Sequence, residues 1–492
     1  MAAAKRVSLA PSKQLPGDIV LIPKHPCLCA AVALLAAGCA QWPASTELAQ
    51  PDPAPPAWIS PLPHGGSSTD LAHWWKNLGD PVLVQLMEAA EQASPTLASA
   101  TSRLTQARAA LGNAEAANRP SVGASLSAQR GVNSASPTVG TALQGSLDAS
   151  WEIDLFGANR ATASAAQARL QGSAAQWHEA RVSVAADTAN AYTGWRNCRQ
   201  LLQVVQLDAS SRSETARLAA LSAQAGFTAP AVAALANASA AEGRGRSTQQ
   251  SSQCDSSLKA LVALTALPEP ELRQLLAAAP AGSTALAMPA VSNVPAQVLS
   301  QRPDLYAAQR ELAAASADLG AAQAQRYPRL MLNGSVGALN YSSQGSSTDL
   351  STWSIGPVSL SLPILDGGRR VANVQAAQAR YTEAAALYRA RVRQAVREVE
   401  DSLLQLESTG AQKDDAAAAA QGYGQSFNAT QARYQAGSAS LPELEDARRS
   451  TLSAQTALLQ LDLQRSQAWI ALYRALGGGW NVNAPLPTDT HE

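Results

Sequence analysis

A long unit written twice sets what this 492-residue chain can fold into. Residues 94–120, SPTLASATSRLTQARAALGNAEAANRP, lie without a gap against 302–328, RPDLYAAQRELAAASADLGAAQAQRYP, with 11 identities in 27. Alanine inflates any such match, but Leu97/Leu305, Leu104/Leu312, Leu111/Leu319, Gly112/Gly320 and Pro120/Pro328 fall in register. Self-similarity of this kind marks one supersecondary layout used twice.

Downstream of each copy the residues alternate with period 2. After Pro120, Val122, Ala124, Leu126 and Ala128 alternate with small polar residues. Beyond a Ser/Pro/Gly turn at 133–140, Leu143, Leu147, Ala149, Trp151, Ile153 and Leu155 alternate with Gln144, Ser146, Asp148, Ser150, Glu152 and Asp154. The second copy repeats this with Leu330, Leu332, Val336 and Ala338, a polar turn SSQGSSTDL, and then Trp353, Ile355, Val358, Leu360, Leu362 and Ile364. Parity flips at Gly356-Pro357, which reads as a bulge because proline cannot donate to a ladder. Each half therefore predicts one β-hairpin, apolar on one side and small-polar on the other. A soluble sandwich would alternate too, but four strands are too few and the polar face is no packed core. Lipid outside and water inside fit better. Four strands cannot close; two copies give a plugged barrel and three give twelve strands with a lumen.

The rest reads as long helices. No proline interrupts Asn159–Ala229 or Arg369–Leu441, and both runs are rich in Ala, Gln, Arg and Leu. A continuous helix of ~70 residues would be about 100 Å long, though isolated glycines at 172, 194, 410, 422 and 424 weigh against strict continuity. Each run breaks at a matching place, QAGFTAP at 224–230 and QAGSASLP at 435–442, then returns as helices over 231–266 and 443–476. Cys198 lies 28 residues before Gly226 and Cys254 lies 28 after it. In an antiparallel pair they stand at one height, so they either form a disulfide or remain two independent buried thiols.

Composition excludes more than it suggests. Net charge is zero, which gives no footing for a nucleic-acid partner. The five histidines show no ligand spacing, no catalytic or phosphate-binding motif is present, and no cofactor is implied. At the N-terminus, Lys5, Arg6, Lys13, Lys24 and His25 precede the apolar run CLCAAVALLAAG, which ends at Cys39. Twelve residues are too few to span a bilayer but suit a signal-peptide core. LLAAGC resembles a bacterial lipobox, with Cys39 as the lipidated mature N-terminus; the other reading is a cysteine that merely comes after a signal peptide.

The expected organisation is a signal peptide at 1–38, a Pro-rich tether at 39–70, repeat 1 at 71–285, repeat 2 at 286–480 and a tail at 481–492. Hairpins fall at 121–155 and 329–364, with helical tips near 226 and 437.

Six stretches then match one family in order: HWWKNLGDPVLVQLMEAA (73–90), WEIDLFG (151–157), RPDLYAAQRELAAASADLGAAQAQRYPRL (302–330), LPILDGGRRVANVQAAQARY (362–381), VREVEDSLLQL (396–406) and LYRALGGGW (472–480). The chain resembles the TolC-like outer-membrane efflux factors, in their NodT-type, OprM-like lipoprotein branch. The resemblance implies an α+β membrane protein, a homotrimer with a twelve-stranded barrel continued by a helical coiled-coil periplasmic tunnel. It implies a passive exit duct, not an enzyme, in the outer membrane of a Gram-negative bacterium. Its partners would be a periplasmic adaptor, an RND- or MFS-type inner-membrane transporter and outer-membrane lipid. Carried over by position, the adaptor-contacting tips are Gly226-Phe227-Thr228 and Gly437-Ser438-Ala439. Asp446 takes the place of an acid that constricts the family's entrance, with Glu443 and Glu445 beside it. The plainer reading of these acids is a helix N-terminus whose dipole they suit. Pro442 stands where the family has a hydrophobe. A duct of the same fold for type I protein or polysaccharide secretion is the alternative function.

Overall fold

The computed structural model describes residues 58–60, 80–133, 136–279 and 299–482. Twin helices α1 (Pro81–Ala93) and α2 (Pro95–Ala116) lead into β1 (Ser121–Asn133) and β2 (Ser136–Ile153). The chain continues through α3 (Ala158–Gln224), α4 (Pro230–Thr265) and the short α5 (Glu269–Ala277). The second copy runs α6 (Pro303–Ala324), β3 (Arg329–Ser343), β4 (Ser346–Ser361), α7 (Arg369–Gln435) and α8 (Leu441–Ala475), closed by a 3-10 turn at Gly477–Gly479.

The four strands form one antiparallel sheet in the order β1-β2-β3-β4. Its ladders put apolar against apolar: Ala124 faces Leu147, Leu147 faces Val336, and Val336 faces Trp353. That face is bare, with Trp353 76% and Ile355 88% exposed. The other face is a hydroxyl mesh. The Ser125 and Ser146 hydroxyls lie 2.8 Å apart, Ser146 donates to Asp148 at 2.8 Å, and the Ser335 and Ser354 hydroxyls are 2.9 Å apart. Strands of 13 to 18 residues exceed the 9–11 that cross a membrane. Among the described residues no helix is long and apolar enough to do so.

Two details differ from the sequence expectation. The polar stretches expected as turns are mostly strand, because Ser342 still pairs with Ser347 and only Gln344-Gly345 turns, both at positive φ. A two-residue turn of this kind matches the twist of the flanking strands. The five isolated glycines also leave the long helices unbroken: each helix is 67 residues, about 100 Å, with all five glycines inside. The bulge on β4 is as expected. Gly356 and Pro357 together oppose Asn333, whose amide donates to the Pro357 carbonyl at 3.3 Å.

No single face of the long helices is strongly apolar. They hold instead by Ala-rich contact along their length: α3 runs beside α2, α4 and α6, α7 beside α6 and α8, and α8 also touches α3. The densest core is a belt where α1, α3, α4, α5 and α8 meet, with Leu83, Leu86, Tyr192, Leu258, Leu261, Leu272 and Ile470 all fully buried. Asp80 anchors this belt. It caps α1 through the Val82 and Leu83 amides and accepts from the Tyr192 hydroxyl at 2.8 Å and from Arg196 at 3.2 Å.

The expected tether, 39–70, docks where it is described. Trp58 is buried among Val399, Leu403, Leu406, Trp469 and Leu472 of α7 and α8, and the Ile59 and Ser60 amides donate to Glu400 at 2.7 and 2.9 Å. A Pro-rich stretch shows no periodicity, so a single anchoring tryptophan leaves no pattern to read.

Candidate functional site

The α3–α4 and α7–α8 hairpins end in the same geometry. Gly226 and Gly437 take φ of +77° and +73°, and the next residues, Phe227 and Ser438, donate back to the carbonyls of Ser222 and Arg433 at 2.9 and 2.8 Å. This is the left-handed glycine cap that ends a helix and reverses the chain. Beyond it the tips diverge. Phe227 stands 85% exposed, with Thr228 beside it half-buried. Ser438 is folded back, donating its hydroxyl to the Arg433 carbonyl at 3.1 Å, with Ala439 half-buried.

The three acids named for the entrance, Asp446 with Glu443 and Glu445 beside it, have different surroundings. Glu443 is consumed by the α8 N-terminus, where it and Ser440 form a reciprocal capping box with bonds of 2.9 and 3.3 Å. Glu445 points inward between the hairpins and pairs with Arg212 and Arg448. Asp446 faces outward, its side chain 72% exposed and 3.3 Å from Arg449. Glu443 and Asp446, three residues apart, share one exposed side of the helix, whereas Glu445 between them is turned toward the neighbouring hairpin.

Glu445 belongs to a buried ionic latch that sequence reading missed. Arg212 of α3 reaches Asp208 at 2.9 Å one turn away, Ser239 of α4, and Glu445 of α8. Arg246 of α4 reaches Asp208 at 3.2 Å. Arg448 of α8, 3% exposed, donates to Ser211 and Thr215 of α3 at 3.0 and 3.1 Å and lies over the Phe427 ring of α7. Burial is the main cause that pulls the Arg448 guanidinium below its ordinary pKa, with Glu445 opposing it and neighbouring Arg212 adding to it. Gly243 makes the room: a Cβ there would stand 2.9 Å from the Arg212 side chain and 3.2 Å from the Ala209 backbone. Four helices thus converge on one network. In the sequence, Asp208/Arg212 and Glu445/Arg448 look like ordinary surface pairs at helical spacing; only the fold turns them toward each other.

Cys198 and Cys254 are joined by a disulfide, with Cα atoms 5.5 Å apart, at one height on α3 and α4. Cys39 lies outside the described residues, and among those residues no cluster of metal-binding side chains occurs.

Comparison with known proteins matches this architecture. The model of the family described as Outer membrane efflux protein covers residues 86–267 and 294–478. The pyoverdine export outer membrane protein OpmQ of Pseudomonas putida is 29% identical over 88% of this chain and 93% of its own. Outer membrane protein OprJ of Pseudomonas aeruginosa is 29% identical over 86% and 89%. Among solved structures, the outer membrane protein VceC of Vibrio cholerae superposes with a TM-score of 0.73 at 26% identity, covering 84% of this chain and all of that one. With both repeats spanned by one family model and the sheet-and-helix layout shared with a solved member, the chain belongs to the outer membrane efflux protein family.

Proposed function

We propose that this chain is the outer-membrane exit duct of a tripartite efflux pump, working as a homotrimer that passes small molecules and performs no chemistry of its own. One observation carries the reading: a four-stranded sheet, bare and apolar on one face and hydroxyl-lined on the other, runs directly into helices about 100 Å long. The edges β1 and β4 carry unpaired backbone groups, which three copies satisfy by closing 3 × 4 = 12 strands around a wet lumen. Export, of pyoverdine, is also what the name of the relative OpmQ states. An energised inner-membrane transporter, of RND or MFS type, drives transport, and a periplasmic adaptor bridges it to the tips around Gly226-Phe227-Thr228 and Gly437-Ser438-Ala439. Cys39 carries the lipid that anchors the mature chain.

The entrance closes at the helical end. Three-fold symmetry brings three Asp446 carboxylates around the axis, while the latch through Glu445, Arg212 and Arg448 holds α8 against α3 and α4. Opening then consists of α7–α8 moving away from α3–α4 as the latch parts. In planar bilayers the purified trimer conducts as a low-conductance pore, and Asp446→Ala raises its conductance. A trimer without pore activity, or an Asp446→Ala pore identical to the parent, contradicts this reading.

A further inference from the structure

The disulfide has no part in the proposed conduction path, yet it sits at a telling height. Cys198 and Cys254 are each 28 residues from Gly226, and the latch groups lie between them and the tip: Asp208 and Arg212 on α3, Ser239 and Arg246 on α4. Between the disulfide and the tip much of the apolar α3–α4 contact is small side chains, Ala209, Ala216, Ala219, Ala236, Ala240 and Gly243. Such a surface has shallow ridges and resists axial sliding weakly. A slip of one turn moves one helix by about 5.4 Å along the other, enough to carry Ser239 and Arg246 out of reach of Arg212 and Asp208.

The second hairpin has no such tie. At equal distance from Gly437 stand Thr409 and Arg465. Thr409 bonds within its own helix, to the Gln405 carbonyl at 2.7 Å, and Arg465 reaches the Leu406 carbonyl at 3.4 Å. Beside Cys198, α3 meets α8 through a hydrogen bond, Asn197 donating to the Leu459 carbonyl at 2.6 Å.

We propose that the Cys198–Cys254 disulfide is a register pin for the entrance. It fixes α3 against α4 so that the four latch groups stay level, making that hairpin the fixed jaw and leaving the movement to α7–α8. The pin deepens the gate reading and rests on it.

The test compares closed-state conductance of the parent trimer, a Cys198→Ser/Cys254→Ser variant and a Glu445→Gln latch variant in planar bilayers. The pin predicts that both variants leak, with the open fraction raised at least about fivefold, the low end of a single coupling. A latch variant that leaks beside a serine variant with parent conductance overturns the pin and leaves the gate reading standing, even if the serine variant melts earlier. Parent conductance in both overturns the gate reading and the pin with it. Should the serine variant fail to assemble, the parent trimer is reduced after insertion with a phosphine reductant, and thiol alkylation confirms cleavage. Reduction must then produce the same leak; unchanged current with both thiols alkylated overturns the pin.

Discussion

The two helical hairpins share length, turn and ancestry, yet they are secured differently. Both long helices are 67 residues and both tips use a glycine in the left-handed region. The α3–α4 pair is closed by a covalent bond and presents an exposed Phe227; the α7–α8 pair has no such bond and presents Asp446 with a capped, acidic helix start. In the proposed gate the first of these two similar arms is the support and the second the lever. The buried latch is where the two meet, and it mixes charges from both.

The largest effect that would break this comparison is at the latch. Arg448→Ala leaves Glu445 and Asp208 with fewer partners in a buried setting, which costs about 3–5 kcal/mol. Thermal unfolding followed by far-UV circular dichroism should show a clear loss, whereas exposed Asp446→Asn should change stability by less than about 1 kcal/mol. Equal losses would mean that the fold does not distinguish the buried acid from the exposed one.

Next comes Trp58. Replacing a buried tryptophan by alanine costs about 3–5 kcal/mol when its site is fully formed. Trp58→Ala should fall toward the low end, since the segment can detach from α7–α8 while the helices stay paired. Limited proteolysis near residue 60 should accelerate in that variant; an unchanged cleavage rate would show that Trp58 does not hold the strap.

A smaller effect tests what the hairpins have in common. Gly226→Ala and Gly437→Ala each force a side chain into the left-handed region at a cost of about 1–2 kcal/mol. Nothing lies within 4 Å of either added Cβ, so the two losses should match. A marked inequality in melting temperature would reveal a tip difference beyond the turn itself.

The smallest effect is a pH dependence near the belt. His178 lies edge-on to Trp177 and close to Trp480, and burial, with help from Arg181, lowers its pKa to about 4. The unfolded chain, near 6.5, therefore binds more protons than the folded one between those values, and stability falls as pH drops from about 6.5 toward 4. His178→Gln should flatten that slope; a slope equal to the parent's would assign it to other groups.

Much of this architecture was legible in the order of the residues. Period-2 alternation marked the strand faces, proline-free runs marked the helices, and equal distances from Gly226 paired Cys198 with Cys254. Alternation could not say that β2 pairs with β3, because it names a face and not a neighbour. The latch was hidden for a related reason: Asp208/Arg212 and Glu445/Arg448 are separated by more than 200 residues, and each pair alone is satisfied on a helix surface. Among the acids at 443–446, sequence could not show that Glu445 turns inward to Arg212 and Arg448 while Glu443 and Asp446 stay at the surface.

The central claim is that this family member is a duct closed at its helical end by α7–α8 held against a fixed α3–α4. Single-channel conductance of the assembled Arg448→Ala trimer tests it most directly. The account predicts a pore that conducts well above the parent because α8 is held to α3 less firmly. An assembled trimer with parent conductance would contradict it.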